Sequence, residues 1–156
     1  MNTLTRKDTT ALLRVATCSY LLHLGYSCHV ELGVNKGGTL RADILAVKNN
    51  FDIAICELKS SVADFTSDSK WQSYIEYANR MWFVFAEDTF NKLKAKGRLS
   101  EIKELGVGIL VLSSKTGYLS SKSPVTRRHM KGATKKLVLT RMAWRGGISA
   151  RTNRRQ

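Results

Sequence analysis

Between residues 114 and 156 the chain has no aspartate or glutamate, yet twelve lysines and arginines stand there. The 113 residues before them hold 14 Lys/Arg against 12 Asp/Glu, so the formal net charge of +14 belongs almost entirely to the C-terminal segment. A stretch of one sign favours a polyanion as partner, because each phosphate that a cation neutralises releases counterions. Charge alone does not separate DNA from RNA, or either from an anionic membrane. No run approaches 18 apolar residues, which argues against a membrane span. The N-terminus, MNTLTRKDTT, has no apolar core ending in a small-residue cleavage site, which argues against a secretory signal. Cys18, Cys28 and Cys56 are odd in number and lack a CxxC spacing, so they read as buried or incidental thiols of a reducing compartment. His23, His29 and His129 are as scattered as the cysteines, which gives a zinc site little support. The Gly33–Gly38 stretch lacks the G-K-[ST] ending of a phosphate loop, and HExxH, GxSxG and dinucleotide fingerprints are absent.

What is present points to one compact domain with an appendage. At 156 residues, 43% of them hydrophobic, the chain suits a single domain. The apolar residues cluster before position 113. The expected division is therefore a core over 1–113 and a basic extension over 114–156, partly unfolded unless nucleic acid orders it. A cap at Asp8 or a nearby Thr and an apolar stripe through Leu12, Val15, Ala16 and Leu22 predict a helix over 8–24. Three strands follow at about 27–34, 39–47 and 51–59, the last two joined by the tight turn Lys48–Asn50. Phe65, Trp71, Tyr74, Ile75 and Ala78 predict a helix over 68–79. MWFVFA (81–86) reads as a buried strand, 87–106 as one or two short helices, and 107–113 as a further strand. The stretch 135–144 could add a strand or a helix. The order is that of an α/β sandwich around a mixed sheet.

The chemistry centres on Arg41-Ala42-Asp43 and, fourteen residues after Asp43, Glu57-Leu58-Lys59. Strand period two puts Glu57 and Lys59 on one side of the third strand. The tight turn brings the second strand alongside, so Asp43 falls opposite Glu57. Two carboxylates that close repel unless a cation lies between them. Mg²⁺ suits such an oxygen site, keeps waters and accepts phosphate oxygens. Lys59 would orient water and stabilise phosphate charge rather than act as a base, because an ordinary lysine is protonated up to about pH 10. A surface salt bridge is the simpler account of a D…ExK pattern alone. The apolar run that precedes each charged end favours a site at the mouth of a core sheet, where charges are costly unless paired or metal-bound.

The run RADILAV…FDIAICELKSSVADFTSDSKWQSYIEYANRMWFVF resembles the PD-(D/E)XK nuclease superfamily, and within it the small DNA-repair-like proteins of the MmcB type. The matching residues are Arg41-Ala-Asp43, Glu57-Leu-Lys59-Ser60-Ser61, Asp64-Phe65 and Asp68-Ser-Lys70-Trp71, followed by Tyr74 and Tyr77. The resemblance covers about residues 8–90. It implies a restriction-endonuclease-like αβββαβ core, a mixed sheet flanked by helices, and a metal-dependent phosphodiesterase acting on DNA in repair, recombination or restriction. Two features depart from it. Residues 10–26 contain no acid where many members place one in the first helix, which leaves Glu31 as a substitute or as an ordinary strand residue. Ala42 stands where the superfamily name has proline.

The resulting expectation is a Mg²⁺-dependent deoxyribonuclease, with Mn²⁺ as substitute. Asp43 and Glu57 would hold metal, Lys59 would assist, and Glu31 would be a fourth member. Endonuclease is favoured, since no added domain for threading is evident. Arg41, Lys70, Gln72, Lys122, Arg127, Arg128, Lys131, Lys135, Lys136, Arg141 and Arg145 are the expected DNA contacts. Trp71, Tyr74 and Tyr77 read as core, while Trp144 could stack on a base or pack on the domain. The expected setting is cytoplasmic, nucleoid-associated or as an intracellular phage protein. A homodimer would let two sites cut both strands. The rivals are a DNA- or RNA-binding accessory protein without catalysis, and a packaging protein.

Overall fold

A computed structural model of the chain describes residues 4–146. Six strands form one mixed sheet in sequential order: β1 (Ser27–Gly33), β2 (Arg41–Val47), β3 (Ile53–Lys59), β4 (Arg80–Ala86), β5 (Gly108–Leu112) and β6 (Leu119–Ser123). β1, β2 and β3 make an antiparallel meander, β3, β4 and β5 run parallel, and β6 returns antiparallel. β3 is buried along its whole length, as its near-continuous apolar sequence requires of a central strand covered on both faces.

Among the described residues, one helix covers one face of the sheet. α1 (Arg6–His23) starts at Thr5, whose side chain accepts from the Asp8 amide while Asp8 caps the Thr5 amide in return. It packs Leu13 and Leu21 on Tyr26, Ile44, Ala46, Ala54, Cys56 and Val84. Everything else covers the opposite face: α2 (Val62–Thr66), a 3₁₀ segment (Trp71–Tyr77), α3 (Glu87–Ala95), α4 (Ser100–Glu104) and α5 (Gly132–Gly146). The αβββαβ order expected from the sequence is present, with a mixed sheet between helices.

Two elements differ from expectation. In place of the helix predicted over 68–79 the chain forms a 3₁₀ segment, with the short α2 before it. Trp71, Tyr74 and Tyr77 recur every three residues, the period at which 3₁₀ side chains eclipse, so Trp71 and Tyr74 both face the sheet. Trp71 and Phe65 meet Phe83 edge-on, with ring centroids 5.2 and 5.4 Å apart. The basic segment is also folded against the core as far as residue 146. β6 pairs with β5, and α5 inserts Val138 and Met142 beneath the sheet.

That segment is tied down by polar contacts as well. Buried Asp52 accepts from Tyr26 Oη at 2.8 Å and Arg127 Nε at 2.9 Å, and pairs with Arg80. Asn79 Nδ2 donates to the Arg128 carbonyl at 2.8 Å. Arg145 donates to the Val30 and Glu31 carbonyls, and Arg141 to the Gly33 carbonyl, so two arginines of α5 satisfy acceptors of the edge strand β1. Gly38, at φ +68, closes the β1–β2 turn against Arg141, where a Cβ would collide with the guanidinium.

Candidate active site

Along β3, Ile53 and Ile55 face α5 and the 3₁₀ segment, while Ala54, Cys56 and Leu58 face α1. Alternation therefore turns Glu57 and Lys59 toward the 3₁₀ side. One step beyond the Ile44–Cys56 pair, the register sets Asp43 opposite Glu57. Here side chains take over from the backbone ladder. The Asp43 amide donates to Glu57 Oε1 at 3.1 Å, and the Leu58 amide donates to Asp43 Oδ2 at 2.8 Å. The two carboxylates are thereby fixed beside each other by main-chain donors.

Their surroundings disfavour charge. Glu57 is only 4% exposed, and burial, reinforced by the charge of Asp43, pushes its carboxyl up to about 8. Asp43 is also raised, by burial first, against the lowering influence of the Leu58 amide and the Lys59 ammonium. Tyr74 closes the site from the 3₁₀ segment. Its hydroxyl donates to the Arg41 carbonyl at 2.6 Å, and its own ionisation is opposed by burial and by the nearby carboxylates.

Lys59 is 6% exposed, and its Nζ lies 2.6 Å from Asp68 Oδ2. Asp68 sits in the link between α2 and the 3₁₀ segment, with Oδ1 fixed by the Lys70 amide at 3.0 Å. Asp64, capped by Ser61, accepts from the Ser60 amide at 3.2 Å and from Arg6 at 2.8 Å. The sequence motif contained both aspartates, but only the fold reveals that Asp68 holds the lysine. The signal was the polar DSK triplet interrupting an otherwise amphipathic stretch.

Asp43, Glu57 and Lys59 are thus brought together. Glu31 lies opposite Asp43 across β1–β2, between the Val30–Ile44 and Leu32–Ala42 pairs. Its backbone is left-handed, with φ 53, a conformation costing a non-glycine residue about 1–3 kcal/mol. Its carboxylate meets Arg14 of α1 at 3.4 Å, away from the pair. Arg41, Lys70 and Gln72 are exposed beside the site. Among the described residues, the side chains of Lys122, Lys131, Lys135 and Lys136 make no hydrogen bond or ion pair, in contrast to Arg127, Arg141 and Arg145. Trp71 and Tyr74 are core residues, and Trp144 is 60% exposed on α5.

The residues fit a divalent cation in one respect and limit it in another. Among the described residues, Asp43 Oδ1 and Glu57 Oε2 accept no hydrogen bond, and a cation between them would offset the burial that raises both carboxyls and, at Glu57, the added charge of Asp43. Among those residues there is also no group of three or more His, Cys, Asp or Glu placed to share an ion. The protein would therefore supply two ligands and leave the rest to water and phosphate, an arrangement Mg²⁺ accepts.

A mixed sheet with an aspartate on one strand facing a Glu-x-Lys on the next, between helices, defines a PD-(D/E)XK-type fold. Residues 2–152 match the family described as DNA repair protein MmcB-like, and the chain belongs to that family. No curated protein matches it. Among solved structures the chain is similar to SPO1766, a protein of unknown function from Silicibacter pomeroyi. The identity is 22% and the TM-score 0.70, over 92% of this chain and 88% of that one. An fdxN element excision controlling factor protein from Anabaena variabilis aligns at 17% identity and TM-score 0.49, over 72% of this chain and 96% of that one. Among the described residues no helix is long and apolar enough to cross a membrane.

Proposed function

We propose that the chain is a Mg²⁺-dependent deoxyribonuclease, with Mn²⁺ as a substitute, that hydrolyses DNA phosphodiesters endonucleolytically in repair or recombination. The supporting observation is the Asp43–Glu57 pair, main-chain-fixed on one oxygen each and open on the other, beside a buried lysine. When bound there, a divalent cation supplies an acidified water and neutralises charge on the phosphoryl group. Asp43 and Glu57 hold it. Lys59 presents a fixed ammonium to the attacking water and to the charge that grows on the phosphate oxygens. Arg41, Lys70 and the free lysines of the C-terminal segment hold the DNA backbone without reading sequence. A homodimer would let two sites cut both strands.

The test is cleavage of plasmid, linear, single-stranded and branched DNA with Mg²⁺ or Mn²⁺, by wild type and Lys59→Ala. Metal-dependent cutting in wild type that drops at least about 100-fold in the variant, with DNA binding retained, supports the proposal. Tight binding without cutting on any substrate sinks it. The second reading, a DNA- or RNA-binding accessory protein on the same fold, is favoured by the two-carboxylate limit of the site. It predicts nucleic-acid binding without cleavage in Mg²⁺ or Mn²⁺.

A further inference from the structure

Lys59 could have paired with the carboxylates nearest it on its own sheet. Its ammonium lowers the carboxyls of both Asp43 and Glu57 through space, so it is within electrostatic reach of both. Yet its hydrogen bond goes to Asp68, on the opposite wall of the site, at 2.6 Å. Both partners are largely shielded, with side chains 7% and 15% exposed. Asp68 is itself held in place by the Lys70 amide. A lysine has four flexible side-chain bonds and no fork to fix its geometry, so its position is set by whatever accepts its protons. A buried ammonium without an acceptor is costly and moves to the next anion within reach.

We infer that Asp68 is a positioning residue that holds Lys59 off the Asp43–Glu57 pair and so keeps those two carboxylates free to take a divalent cation. This rests on the nuclease reading for its purpose, but not for its geometry. Without Asp68, the ammonium of Lys59 swings to Glu57 or Asp43 and offsets one of the pair's two charges as an internal cation. Metal and lysine then compete for one seat. The charge count explains the need for a third acid: with Asp68 the lysine's charge is spent outside the Asp43–Glu57 pair, whereas without it the lysine takes up one of the pair's two charges and leaves less for a divalent cation.

The experiment measures Mn²⁺ affinity by calorimetry on the full chain, for wild type, Asp68→Asn, Lys59→Met and the double variant. Asp68→Asn is expected to weaken Mn²⁺ about 10-fold, the range seen when a group supporting metal ligands is lost. Lys59→Met is expected to bind Mn²⁺ at least as well as wild type. The double variant is expected to return to the Lys59→Met level, because no lysine remains to take the seat. A double variant as weak as Asp68→Asn overturns the inference and makes Asp68 a ligand. Unchanged affinity in Asp68→Asn overturns it too.

Acylation of Lys59 by an amine-reactive ester, followed by mass spectrometry without metal, separates this from the fate of the nuclease reading. A several-fold change in Lys59 labelling in Asp68→Asn, with Asp68→Glu near wild type, supports the restraint even if wild type binds no Mn²⁺ and cuts nothing. Identical labelling in all three refutes the restraint even if wild type is an active nuclease.

Discussion

At the scale of single residues, the site trades stability for charge. Glu57 has an ordinary value of 4.5 when unfolded and is pushed up to about 8 when folded without metal, by burial and by Asp43. The folded state therefore binds a proton that the unfolded chain has already released between those values. Its contribution to stability is fully present below about pH 4.5 and is lost as pH rises toward 8. Metal-free wild type should lose denaturant resistance across that window, and Glu57→Gln should flatten the loss. At pH 8 the same substitution should raise Tm by about 2–4 °C, as about 1 kcal/mol of relieved repulsion does in a chain this size. Saturating Mg²⁺ should abolish the difference in wild type alone. An equally steep pH slope in Glu57→Gln would assign the effect to another group. These residues were legible beforehand, because Asp43, Glu57 and Lys59 follow from strand period and turn length. The hold of Asp68 on Lys59 was not. It depends on where the link after α2 comes to rest over the sheet, and no periodicity encodes that. Glu31 shows the converse limit: its register beside Asp43 follows from strand order, but its left-handed backbone carries the carboxylate to Arg14.

At the scale of elements, apolar periodicity located those that bury a face and missed those held by polar contacts. β3 and β4 announce themselves as continuous apolar runs. β6, LSSKS, has one large apolar residue and exists because β5 offers it an edge. α5 hides its amphipathic pair, Val138 and Met142, among lysines and arginines, so its sequence suits a strand as well as a helix. Two substitutions test whether this segment belongs to the cooperative fold. Met142→Ala, at a site 4% exposed, should cost about 2–4 kcal/mol in denaturant unfolding. Asp52→Asn removes the anion shared by Tyr26, Arg80 and Arg127 and should cost about 2 kcal/mol, a figure held down because Arg127 is half exposed. Both should shift one single transition. A separate early transition confined to α5 would mean that the C-terminal segment is an appendage, as its composition alone suggests.

At the scale of the whole molecule, the fold divides the basic residues of the C-terminal segment into those that pair with the domain and those that do not among the described residues. On sequence alone Arg127, Arg141 and Arg145 are expected phosphate contacts just as Lys122, Lys131, Lys135 and Lys136 are. In the structure Arg127 neutralises Asp52, while Arg141 and Arg145 close the open edge of β1. Lys131, Lys135 and Lys136 have no such partner among the described residues, and α5, which carries Lys135 and Lys136 and directly follows Lys131, lies on the same side of the sheet as Asp43 and Glu57. Each phosphate that a free lysine neutralises adds about 0.9 to the dependence of log K on log salt. Replacing Lys131, Lys135 and Lys136 by alanine should therefore weaken duplex binding at low salt and reduce the slope by about 2–3, with Tm nearly unchanged. Replacing Arg127 or Arg141 should do the reverse, lowering Tm with a smaller change in slope. Binding measured by fluorescence anisotropy at several salt concentrations, paired with thermal melts, distinguishes the two groups. If the triple variant keeps the wild-type slope, the DNA track does not follow α5, and the exposed cations at Arg41 and Lys70 become the place to look for it.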